Sequence, residues 1–251
     1  MIACIVVALG GSALFATPST QIWIPSTDIQ GLGVFHLGWD TYIKTKSPGD
    51  LGFYEGTVTN GGITVGVLPL SKLGLEIGVD YRDMPLPYRD YPMFLNAKLG
   101  TPEDAFFKGM PALAVGIYDL GFKKDLTDNN VMYGLIAKNI WKLGRISIGG
   151  YTGNEKVLLD ASSNNKKDNS GFLASWDRTM SEISDKLWLA VDYQSAKNSY
   201  GALSFGGSWA VSPDASFIIG YDIFNDDKDY KPTVTVQIDM NINPFAKKDA
   251  K

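Results

Sequence analysis

Leu73-Gly-Leu-Glu-Ile-Gly-Val-Asp-Tyr81 is the stretch that decides the fold. Leu73, Leu75, Ile77, Val79 and Tyr81 fall on one face, and Gly74, Glu76, Gly78 and Asp80 on the other. A period of two is the signature of a strand with one apolar and one polar side. Residues 233–243 repeat the pattern. There Val234, Val236, Ile238, Met240 and Ile242 alternate with Thr235, Gln237, Asp239 and Asn241.

Working outward on the same basis, strands are expected near 32–44, 55–67, 73–82, 93–99, 111–119, 131–139, 144–152, 170–178, 186–194, 202–210, 215–224 and 232–243. The connections 68–72, 140–143 and 211–214 are short. Those at 83–92, 120–130 and 153–169 are longer and rich in Asn, Asp, Lys and Pro. Two fit less well: 100–110 is long where a short turn is expected, and 195–201 is short where a loop is expected. Six Trp, twelve Tyr, twelve Phe and 27 Gly suit β structure with many turns.

No stretch beyond the first residues reaches the apolar length of a membrane-crossing helix. Residues 1–16 form the one long apolar run and end in small residues, which reads as a secretory signal peptide; no Lys or Arg precedes it. Residues 17–31 then form a lead-in. Cys4, the single cysteine, falls inside the signal, so the mature chain has no thiol or disulfide. The net charge of −4 supplies no basic footprint for nucleic acid.

Alternation also occurs in a soluble β-sandwich. Three features favour a barrel turned inside out for lipid. The bulky face is nearly unbroken while the other carries Gly, Ser, Thr and charge: Leu203, Phe205 and Trp209 stand against Ser204, Gly206 and Ser208. Trp39, Tyr81, Tyr193, Trp209 and Tyr221 sit near strand ends as an aromatic girdle would. The export signal is the third. Strands placed in lipid must close, because an open edge strands polar backbone there.

With its signal peptide, alternating strands, even strand count and short and long connections, the chain resembles a Gram-negative outer-membrane β-barrel. The resemblance covers about 30 to 245 and implies an all-β, antiparallel, up-and-down transmembrane barrel of about twelve strands (32–245), with a polar tail at 246–251. It also implies outer-membrane lipid and the barrel assembly machinery as partners. That machinery reads a terminal aromatic residue. Here Phe245 follows the last strand, but the tail trails after it and the usual glycine is missing.

Parity then assigns the lumen. Asp40, Asp80, Asp192 and Asp222 each stand next to an outward aromatic ring and form an expected acidic ring toward the external half, with Glu76 and Asp239 as further inward acids. Lys98, Lys138 and Arg145 are expected inside at the periplasmic end, Arg82 and Lys44 higher up, and Asp177 low. Glu76 is expected beside Lys98 on the adjacent strand. Asp119 breaks parity and would face outward unless a bulge shifts its strand.

No cofactor motif is present. A hydrolase would have to run through His36, the single histidine, and no serine is marked out as its partner. One His and no mature Cys do not make a zinc site. The acidic stretches 225–229 and 128–130 lack the spacing of a calcium loop. The expected function is a porin-like channel for small polar solutes or ions with a cation bias. The alternative is a non-conducting barrel with a structural or partner-binding role.

Overall fold

Twelve antiparallel strands close into one barrel. The structure is a computed structural model, described for residues 20–45 and 57–245. The expected signal peptide, with Cys4, and the 246–251 tail lie outside the described residues. The strands are β1 (Phe35–Lys44), β2 (Val58–Gly66), β3 (Gly74–Asp83), β4 (Met93–Thr101), β5 (Ala112–Gly121), β6 (Val131–Asn139), β7 (Arg145–Thr152), β10 (Ser170–Thr179), β11 (Leu187–Gln194), β12 (Ala202–Ser212), β13 (Ala215–Phe224) and β14 (Thr233–Ile242). A two-stranded hairpin, β8 (Leu159–Asp160) with β9 (Lys166–Lys167), stands in the long 153–169 connection and was not foreseen.

Each strand pairs with its sequence neighbours, and β1 closes the ring against β14 from Phe35↔Ile242 to Lys44↔Thr233. The even count and the antiparallel pairing leave no free edge. One end of the barrel carries the connections 67–73, 102–111, 140–144, 180–186 and 213–214, called here the turn end. The other, the loop end, carries 84–92, 122–130, 153–169, 195–201 and 225–232.

The outward face is an apolar band: Ile77, Val115, Ile148, Ile219 and Ile238 are all exposed. A soluble barrel would turn these inward. Trp39, Tyr81 and Trp209 are exposed on the same side, and Tyr193 and Tyr221 lie tilted against outward Phe172 and Phe205. The Trp39 ring lies across Gly61 on β2, where an added Cβ would come within 3.0 Å of it. Trp141, Phe106 and Phe107 add exposed rings in the turns, beyond those expected.

The inside differs from the expected polar lining. Two apolar clusters fill part of it. One joins Ile24 to Val131, Tyr133, Leu135, Tyr151, Leu158 and Leu173. The other joins Ile22 to Trp188, Ala190 and Ile218. Leu158 belongs to the 153–169 connection, so that loop folds inward. Ile22 and Ile24 belong to the lead-in, which crosses the lumen instead of preceding the barrel.

Candidate functional site

Residues 20–31 form the first part of the site. Thr20 bridges to Pro25, and the Gln21 N–H donates to the Ile24 carbonyl, which folds the segment into a tight turn. Side chains from around the wall then hold its backbone. Asp192 on β11 accepts from the N–H groups of Ile22 (2.8 Å) and Trp23 (3.0 Å). Gln237 on β14 donates to the Ile22 carbonyl at 2.8 Å. Glu76 on β3 accepts from the Gln30 N–H at 2.8 Å, and Lys98 on β4 donates to the carbonyls of Asp28 (2.6 Å) and Ser26 (3.3 Å). Arg145 on β7 bridges Asp28 (2.7 Å) and Asp177 of β10 (2.9 Å). Gln21 and Trp188 donate to the same Asp177.

The wall is cut to fit this segment. A Cβ at Gly220 would meet Ile22 at 2.8 Å, and one at Gly66 would come 2.1 Å from the Gly31 carbonyl oxygen. Burial of Ile22 and Ile24 contributes about 1.5–3 kcal/mol each. The charged anchors supply direction, since hydrogen bonds to ionised groups are stronger and fix geometry.

Ile22, Ile24 and Leu158 fill the side of the lumen toward β6 through β13, while residues 26–31 run past β2, β3 and β4. On the side of β14, β1, β2, β3, β4 and β5 a cavity of about 720 Å³ remains. It runs from Tyr88, Asn165 and Lys231 at the loop end down to His36, Thr64 and Glu76. Gly38 and Gly62 pair across β1 and β2 and leave a bare patch, over which the Asp80 carboxylate leans. Asp40 stands one step higher, opposite Asn60.

The expected acidic ring is therefore split. Asp40 and Asp80 line the cavity, whereas Asp192 and Asp222 are buried away from it. Asp192 holds the segment, and Asp222 accepts from the Thr233 hydroxyl at 2.7 Å. Asp239 lines the cavity with its carboxylate 3.2 Å from His36 Nε2, and His36 Nδ1 lies 3.0 Å from Asn241. Among the described residues no serine is recorded on the His36 ring. Glu76 and Lys98 meet at 3.1 Å, as their placement on neighbouring strands implied.

Lys138 departs from its expected place. On β6 the buried residues are Val131, Tyr133, Leu135 and Ala137, so Lys138 shares the outward side with Met132 and Ile136. It reaches the rim and pairs with Glu103 of the 102–111 turn at 2.8 Å. The inward side of β6 is apolar because it packs on Ile24 and Leu158.

Asp119 departs from simple parity in the other direction. The β4–β5 register shifts between Leu95 and Ala97, and Asp119 adopts φ 51°. A left-handed φ is tolerable for Asp, and the extra residue swings the carboxylate inward. It receives both Arg82 guanidinium nitrogens, at 2.8 and 3.0 Å, and the Tyr200 hydroxyl. Burial, then the Asp119 charge, pushes the Tyr200 phenol well above its ordinary value, so it stays a donor. Arg82 also lies over the Phe94 ring, 4.7 Å from its centre.

At the loops, Asp226 accepts from the N–H groups of Ser162 and Lys228, tying 225–232 to 153–169. Among the described residues no group of three His, Cys, Asp or Glu is placed to hold a metal ion.

No family model and no curated protein sequence matches the chain. Its backbone is similar to that of the NanC porin, with a TM-score of 0.50 and 12% identity over 81% of this chain and 97% of that one. This is the barrel fold of an outer-membrane porin. The barrel is also similar to an outer membrane channel from Pseudomonas putida F1 (TM-score 0.48, 10% identity, 84% and 96% of the two chains). A third similar structure is the Acinetobacter baumannii outer membrane protein Omp33 (0.43, 12%, 85% and 100%).

Proposed function

We propose that the chain is an outer-membrane, porin-like conduit for small polar solutes or ions, with a preference for cations. Residues 1–16 export it, the assembly machinery inserts it, and the turn end faces the periplasm. One observation carries the charge preference. Three inward bases are neutralised, Lys98 by Glu76, Arg82 by Asp119, and Arg145 by Asp28 and Asp177, while Lys44 lines the cavity at the loop end. Asp40 and Asp80 face the cavity with no ion pair among the described residues. A ring or wall of unpaired carboxylate concentrates cations and repels anions. The cavity volume lies in the range of a small-molecule site.

Planar-bilayer recording tests this. Single-channel steps with potassium favoured over chloride are expected, and Asp40→Asn with Asp80→Asn should bring the permeability ratio toward unity. Asp192→Asn should weaken the seat of the 20–31 segment instead. An absence of steps, or an anion preference, sinks the proposal.

The second reading, a non-conducting barrel, is favoured by the inserted 20–31 segment and the inward Leu158. Deleting 20–31 separates the two. A barrel that conducts only after the deletion supports the closed reading.

A further inference from the structure

The loop end of the cavity contains a ring arrangement that charge pairing does not account for. Trp23, from the inserted segment, stands at right angles to Tyr42 of β1 (centres 5.4 Å apart, interplanar angle 87°). It stands at right angles to Phe224 of β13 as well (5.5 Å, 89°). Tyr230 continues the row, 5.7 Å from Phe224. All four rings line the cavity. A porin lumen needs no such surface to pass hydrated salt, because water and small ions gain little from apolar walls.

Carboxylates stand beside the rings: Asp40 and Asp229 line the same cavity, as do Lys44 and Lys231. Asp40 lines the cavity two residues before Tyr42 on the same inward face. Rings set at right angles beside acids offer π faces and negative potential to one guest, which is the chemistry that holds a substituted ammonium ion. A sugar would want ring faces together with hydrogen-bond donors, and the Trp23 indole N–H is already given to the Tyr200 carbonyl.

We propose that Trp23, Tyr42, Phe224 and Tyr230, with Asp40, form a binding site for organic cations bearing a methylated or alkylated ammonium group. The site deepens the reading of the cavity as a solute path and rests on it for its biological use. Binding itself can be measured without conduction.

The test uses the full-length barrel refolded in detergent and the probe tetramethylammonium chloride, with potassium chloride at equal ionic strength and glucose as comparators. Tryptophan emission should change saturably with tetramethylammonium alone, and Trp23→Phe should remove that change. Asp40→Asn should weaken the apparent affinity at least about tenfold, with heat-modifiable gel migration unaltered. Tyr42→Leu, which leaves the charges in place, should weaken it as well. An equal response to glucose or potassium, no saturable response, or an Asp40→Asn affinity equal to the parent overturns the site. The two proposals fail separately. A barrel that conducts potassium but ignores tetramethylammonium loses the site alone. One that binds tetramethylammonium without conducting loses the conduit alone.

Discussion

Single residues decide what the lumen can do, and the Glu76–Lys98 pair shows how. Both side chains are about 3% exposed, 3.1 Å apart, and both also hold the backbone of the inserted segment. Removing one partner of a buried pair leaves a charge without compensation. Lys98→Met is expected to destabilise the folded barrel by about 3–5 kcal/mol, read from urea unfolding followed by heat-modifiable migration. Adding Glu76→Gln should recover part of the loss. A cost below about 1 kcal/mol for the single change would mean that water or another cation serves Glu76. This pair was legible because two alternating strands fix their shared register. Lys138 was not legible, because β6 is apolar on both faces. Met132 and Ile136 compete with Val131 and Leu135, and only the packing of Ile24 and Leu158 decides which side is inside.

Elements explain most of what the sequence left hidden. The period-two pattern located the barrel strands to within a few residues, since each must keep one face in lipid. The pattern is silent about a segment that is not a strand. Ile22-Trp-Ile24 was too apolar for a solvated lead-in, yet nothing local said that it would turn back into the barrel. Gly220 makes room for Ile22. Gly220→Val should therefore dislodge residues 20–31 while the barrel still forms, raising conductance and exposing the segment to protease. Unchanged conductance together with unchanged protection would show that the segment is not seated there. The β8–β9 hairpin gives a pH prediction. Hydrogen bonds from Ser163 and then Ser162 hold the Asp160 carboxyl below its ordinary value. With the folded value depressed, the cap is fully present above the unfolded carboxylate value of about 3.9 and is lost as pH falls through the lower folded value. The Ser163 amide resonance in micelles should titrate with a midpoint below about 3.9. A midpoint at or above it would contradict the cap.

At the scale of the molecule, the apolar band outside and the carboxylates inside make opposite demands on the two sides of one strand. Ile219 sits in the middle of β13, exposed on the outer face. Ile219→Lys is expected to cost about 2–4 kcal/mol in a bilayer and almost nothing if that face met water. Unfolding measured in phospholipid vesicles separates these, and a neutral outcome would argue against a lipid-facing band. Closure itself has a consequence in time. The seam joins Phe35 to Ile242 and Lys44 to Thr233, partners nearly a whole barrel apart along the chain. Such long-range pairing comes late, because the entropy of bringing distant ends together must be met first. Residues 20–31 are continuous with β1 and travel with it. Until β14 arrives, the sheet is an open trough from which the segment can slip. When the seam zips, the trough becomes a tube and the segment is trapped. In that order of closure, the inner width of the finished protein depends on whether the segment is lying in the trough when the ring shuts.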